Sequence, residues 1–301
     1  MADKKVSSLT EETAPATTDL LYLIGDAIST PVDRKLELGY MMGRMFSDSF
    51  IRGFITDPGT DGDHDIDFGA GAATITDGSG YTVALTDSTI TKQLDASWAV
   101  GSAAGGLDTG SIAADTWYHY WLIMRSDTGV VDFLFSTSAT SPTMPTNYDF
   151  KRRIGACLTD SSSNITSYFQ RGDRFLYTDQ AINDVDNIDP GSGSWTNATV
   201  SCPLGVETSW VGNILTRSTA NGHDTAMWHG HKTAPSVSGP DHYSIRVNRT
   251  AVANVWDVWH GSGIVTNTSS QIQYYIDNSA VYGLFIQTLG WDDPRGRTLE
   301  E

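Results

Sequence analysis

Five aspartates crowd one short stretch, DPGTDGDHDIDFGAG: Asp57, Asp61, Asp63, Asp65 and Asp67. The last four alternate along the chain, and alternate positions share one strand face or line the inside of a loop. Either arrangement gathers carboxylate oxygens of the kind a hard cation such as Ca2+ requires. The features of a helix–loop–helix calcium loop are missing. Counted from Asp61, the sixth position is Ile66 where a glycine turn is needed, and the twelfth is Ala72 where a bidentate glutamate is needed. A solvated acidic loop and a cation site both stay open for Asp61, Asp63, Asp65 and Asp67. A second candidate lies far along the chain, in MWHGHK, where His229 and His231 fall on the same side of a strand. Paired imidazoles of this kind suit a transition metal. Gly230 between them equally suits an exposed turn. No cofactor is expected beyond a divalent cation at these clusters.

Catalysis finds less support. Acidic residues number 36 against 19 basic ones, a formal net charge of −17. Hydrolysis of a glycosidic bond needs two carboxylates about 5–10 Å apart in a cleft, and with so many carboxylates no pair stands out. A Gly-x-Ser-x-Gly elbow, a His-Glu-x-x-His helix, a phosphate loop and the repeated rungs of a long β-helix are all missing from the sequence. No catalytic residue is assigned and a non-enzymatic role is expected. The lack of a basic stripe argues against nucleic acid, and the lack of a long apolar run argues against membrane insertion. MADKKVSSLT has no apolar leader core, so the chain is expected to stay in the cytosol where it is made or to leave by lysis. Cys157 and Cys202 lie in apolar runs and are expected as buried free thiols.

These residues need elements to position them. Charged residues are only 18% of the chain and glycine occurs 29 times, a profile of turn-rich β structure. Short apolar or alternating runs recur: ATIT, YTVALT, WYHYWLIMRS, VVDFLFSTS and RRIGACLT, then NATVSCPL, SWVGNILTRS, TAMWHGHK, YSIRVNR, NVWDVWHG, QIQYYID and VYGLFIQTLGW. Turn signals such as Asp77-Gly78 and Asp127-Thr128-Gly129 separate them. The expected fold is all-β: an N-terminal extended or helical segment over 1–50, then two antiparallel, jelly-roll-like β-sandwich domains. The first spans 51–180 and the second 195–301, with the acidic then Gly/Ser-rich stretch 181–194 as linker. Within the N-terminal segment, Leu20, Leu21, Tyr22, Leu23 and Ile24 form an apolar anchor after a polar lead, and Leu38, Met42 and Met45 fall at helical spacing.

One strand exceeds what a lone sandwich requires. In WYHYWLIMR, Trp117, His119, Trp121 and Ile123 line one face, and Tyr118, Tyr120, Leu122 and Met124 the other. Both faces are apolar or aromatic, so both need cover. Trp117, Tyr118, Tyr120 and Trp121 are therefore expected in an oligomer interface or a second core layer. Six of the nine tryptophans lie beyond the linker, where loop aromatics would stack on sugar rings. Trp256 and Trp259 are three apart, which sends them to opposite faces of a strand.

Several segments resemble one family, the tail, fibre or appendage proteins of tailed-bacteriophage and prophage virions. SSLTEETAPATTDLLYLIGDAISTPVDRKLEL resembles the N-terminal segment of such proteins. The central region from HDIDFGAGAATIT to RRIGACLTD is similar to a domain found in them, through GGLDTGSIA, RSDTGVVDFLFSTSATSPTMP and RRIG. YGLFIQTLGWDDPRG resembles their last strand and tail. The resemblance covers about half of the chain. It implies a structural, usually trimeric virion protein assembled in the bacterial cytoplasm, with residues 1–50 docking on another virion protein and distal β domains meeting the host surface, including its glycans. It implies no catalytic residues. A capsid-bound head fibre or decoration protein would share this architecture, and a tail-associated depolymerase is a more distant alternative. Because bacterial surfaces are anionic, a −17 chain is expected to need divalent cations for adsorption.

Overall fold

A computed structural model describes residues 20–25, 32–37, 49–179, 181–191, 193–219, 224–228, 230, 245–248, 256–277 and 281–297. Every regular element among them is a β-strand. β1 (Leu20–Gly25) and β2 (Val32–Glu37) pair antiparallel as a two-stranded sheet of their own. The helical spacing at Leu38, Met42 and Met45 lies outside the described residues.

The first half contributes β3 (Ile51–Gly53), β4 (Thr56–Pro58), β5 (Asp65–Phe68), β6 (Gly71–Thr76), β7 (Tyr81–Thr86), β8 (Ile90–Ser97), β9 (Ala104–Leu107), β10 (Trp117–Arg125), β11 (Val131–Ser136) and β12 (Tyr148–Leu158). They form a ten-stranded sheet in the order β3-β6-β12-β10-β11-β9-β8-β5-β4, with β7 hairpinned onto β6. The β6–β7 turn follows from Asp77-Gly78: Gly78 takes φ 90°, and Asp77 Oδ1 accepts from the Ser79 and Gly80 amides at 2.8 and 2.9 Å. Most pairings are antiparallel, but β9 runs parallel to both β8 and β11.

The second half contributes β13 (Tyr168–Arg171), β14 (Arg174–Tyr177), β15 (Ile182–Ile188), β16 (Trp195–Thr199), β17 (Ser209–Ser218), β18 (Asp224–Trp228), β19 (Ile245–Asn248), β20 (Trp256–Val265), β21 (Gln271–Ile276) and β22 (Val281–Asp292). A six-stranded sheet runs β13-β14-β22-β17-β20 with β15 also on β22, and a four-stranded sheet runs β16-β21-β18-β19. The stretch expected to be a connector therefore contains β15, bulged at two places along its ladder with β22. β13 and β14, from the end of the expected first domain, pair into the same sheet as the last strand.

One buried apolar cluster runs through both halves, from Phe54 to Trp291. Phe175 stacks on Trp291 with centroids 5.2 Å apart, and Trp117 meets Trp291 edge-on at 5.3 Å. Gly155 on β12 has no side chain because a Cβ there would come within 2.8 Å of the Phe175 ring. The chain itself covers both faces of β10. Every residue from Trp117 to Met124 is buried. On one face Tyr120 bonds Tyr168 through their hydroxyls at 2.8 Å and meets Phe68 at 5.4 Å. On the other, Trp121 and Ile123 join Leu134 and Tyr148 in a second, smaller cluster. Cys157 and Cys202 are buried free thiols.

Candidate functional site

The site begins with two adjacent arginines on an otherwise apolar strand. β12 carries Arg152 and Arg153, each only about a twentieth exposed, and a buried guanidinium is stable only when charge and hydrogen-bonding groups surround it. The C-terminal turn after β22 meets that demand. Asp293, 2% exposed, takes Arg153 in a bidentate pair at 2.7 and 2.8 Å. The third Arg153 donor, Nε, reaches His119 Nδ1 at 2.9 Å, which fixes Nδ1 as an acceptor and the ring as neutral. Burial, with Arg153 alongside, pushes the His119 pKa down to about 3. Burial also disfavours ionised Asp293, but Arg153 outweighs it and holds the carboxyl below its ordinary range.

The same turn returns a guanidinium. Arg295, held at φ 52°, donates to the carbonyls of Ile154, Gly53 and Phe54 at 3.1, 3.0 and 2.7 Å. Arg152 Nε in turn donates to the Arg295 carbonyl at 3.0 Å, and its Nη1 to the Thr74 carbonyl at 2.9 Å. Arg297 closes the set, donating to the Ser49 carbonyl at 3.1 Å and to Asp173 at 2.6 Å. Residues about 140 apart in sequence are thus latched together.

A cleft of about 590 Å³ opens beside this latch, a size that suits a small organic ligand. Among the described residues its cations are Lys151, Arg152, Arg153 and Arg297, and its single carboxylate is Glu207. Arg153 and Arg297 are neutralised by Asp293 and Asp173. Lys151 makes no ion pair among the described residues; its Nζ stands 5.9 Å from the Trp121 ring centroid. Tyr81, 45% exposed, adds an open aromatic ring at the rim. Chemically, this arrangement suits an oxyanion at Lys151 with a ring face against Tyr81.

The residues singled out by sequence fall elsewhere. Asp61 caps its own turn, accepting from the Asp63 amide at 3.2 Å and facing His64 Nδ1 at 3.0 Å. His64 lowers the Asp61 pKa by that bond, and Asp61 raises that of His64. Asp65 and Asp67 lie on β5, where Asp65 is buried and Asp67 accepts from the Thr91 hydroxyl. Among the described residues no three or more His, Cys, Asp or Glu side chains gather as a metal would need. His229 and His231 lie outside the described residues. Leu20, Leu21, Tyr22, Leu23 and Ile24 form most of β1, and their side chains are likewise not described. Trp117, Tyr118, Tyr120 and Trp121 are core. Trp256 and Trp259 stand opposite Arg217 and Ile214 of β17, whose side chains take opposite faces.

Sequence reasoning missed Arg152, Arg153, Asp293 and Arg295. The available signal was a charge doublet inside RRIGACL, since such a doublet must find buried acceptors. The chain matches no protein-family model, no curated protein and no solved structure.

Proposed function

We propose that this chain is a non-enzymatic structural protein of a tailed-phage particle, a fibre-type appendage that works as a homo-oligomer, a trimer in the family it resembles. In this reading residues 1–50 dock on the virion, and the β body beyond them is built from two halves that share one core. The body meets the host surface, with the Lys151 and Tyr81 cleft rim facing anionic glycan and divalent cations bridging the remaining negative charge. The observation that carries the reading is the β1–β2 hairpin. It pairs as a sheet of its own while the other described strands build three larger ones, and a lone two-stranded hairpin is marginal in water. An apolar LLYLIG strand in such a hairpin calls for a partner surface.

The test is co-sedimentation with phage particles of the full chain and of a chain lacking residues 1–48. The full chain should travel with particles and the shortened one should not, while both keep the same β circular-dichroism spectrum. Equal association of the two would overturn the docking role. Copy number settles placement: a few oligomers at one vertex fit the tail, and many over the shell fit a head fibre or decoration protein.

A further inference from the structure

The six-stranded sheet has an outer face that differs from the rest of this acidic chain. Along β17 burial alternates, with Trp210, Gly212, Ile214, Thr216 and Ser218 inside and Val211, Asn213, Leu215 and Arg217 on the outer side, half-buried. Their ladder partners continue that outer face. Leu215 stands between Val258 and Phe285, and Arg217 beside Trp256. Val258 is 53% exposed. The Arg217 guanidinium lies 5.8 Å from the Trp256 centroid and 5.2 Å from that of Tyr282. Across the middle runs a row of polar side chains from four strands. His260 Nδ1 meets Asn213 Oδ1 at 2.5 Å, Asn213 donates to Gln287 at 3.4 Å, and Gln287 donates to Asn183 at 2.8 Å.

Between Val211 and Arg217 neither β17 nor its partner positions on β20 and β22 put a carboxylate on this face, although the chain carries 36 acidic residues. Aromatic side chains, arginine and amides without acid are the composition of an interface centre. We infer that this face is where a second copy of the chain docks. Two copies at −17 each repel over most of their surface, and here they can meet without opposing carboxylates. Asparagine and glutamine each carry donor and acceptor, so the amide row can bond to its counterpart in another copy. The three strands acid-free on this face, about 4.8 Å apart over six residues of about 3.3 Å rise, give roughly 300 Å² per copy; β15 beyond them carries the exposed Asp186. That is well under half of what a standard interface uses, so the association is reversible and concentration-dependent. The contact is two-fold, since the same face meets itself; it rests only on the homo-oligomer part of the reading above, and virion docking can fail without it.

Light-scattering mass of the full chain from about 1 to about 200 μM, a range bracketing weak interfaces, is the test. The mass should rise above 32.6 kDa with concentration. Val258→Glu should return it to the monomer, while Leu85→Glu, at a position 58% exposed on β7, should leave it unchanged. A wild-type monomer throughout overturns the inference, as does an oligomer indifferent to Val258→Glu. Should Val258→Glu fail to fold, oxidative footprinting of the wild type decides. Labelling of Val258, Leu215 and Phe285 should fall with concentration while that of Leu85 stays constant, and constant labelling at all four overturns the inference.

Discussion

β10 and β17 are strands of similar length, each flanked by neighbours on both edges, yet they occupy opposite environments. β10 is buried on both faces from Trp117 to Met124, whereas β17 hides one face and leaves the other half-open. Their sequences say why. WYHYWLIMR has no polar alternation, so water is excluded from both sides only if the chain folds back over it. SWVGNILTRS alternates, placing Asn213 and Arg217 where solvent or another chain can reach them. The second cover over β10 is assembled late in the sequence, from Trp291 against Trp117 and Asp293 against Arg153 and, through it, His119. One strand is thus covered on both faces by sequence-distant groups, and the other on its inner face alone.

The sharpest way to break this contrast is to remove the latch. Asp293→Ala leaves Arg153 buried and unpaired, which typically costs about 3–5 kcal/mol. Urea unfolding should show that loss, and Asp61→Ala, an exposed turn cap, should cost a small fraction of it. Next comes Leu122→Ala on β10, which opens a cavity in a side chain with no exposure and should cost about 2–5 kcal/mol.

Much of this contrast could be read from sequence. The two-faced aromatic strand demanded cover, and SWVGNILTRS was recognisable as a strand. What could not be read was the source of the cover, because Arg153 and Asp293 stand 140 residues apart and neither lies in a pattern of period two or 3.6. β13, β14 and β15 escaped for a related reason. YFQR and RFLY are only four residues each, and INDVDNI is bulged and largely exposed, so no hydrophobic period develops. The aspartates of DPGTDGDHDIDF drew attention by density, yet local turn capping accounts for Asp61 and a strand hydrogen bond for Asp67.

The two regions should also titrate in opposite senses. His119, behind β10, has its folded pKa lowered to about 3, so its contribution is complete above its unfolded value near 6.5 and is lost as pH falls towards 3. Asp184, at the β15 edge, accepts from Ser201 at 2.7 Å and from the Thr288 hydroxyl. Burial raises its pKa to about 6, so its contribution is complete below about 3.8 and is lost as pH rises to 6. Between about pH 4 and 6 the two slopes oppose, each at most about 1.4 kcal/mol per pH unit. Asp184→Asn should therefore unmask a steeper acid loss, read as unfolding free energy against pH. An unchanged profile would show that one of the two groups does not titrate as its burial dictates.

The smallest effect belongs to β17. Leu215→Ala removes part of an outer-face contact with Val258 and Phe285, and cross-strand pairs of that kind contribute about 0.2–1 kcal/mol. In dilute protein the loss should stay within that range, well below that of Leu122→Ala, because water already reaches the site. At high concentration the expectation changes, since a second copy seated on the face would cover Leu215 much as the core covers Leu122. The cost of Leu215→Ala should then grow with concentration while that of Leu122→Ala stays constant. Equal growth in both would mean that stability is coupled to association through the whole fold, and no growth in either would leave β17 with an open face at every concentration.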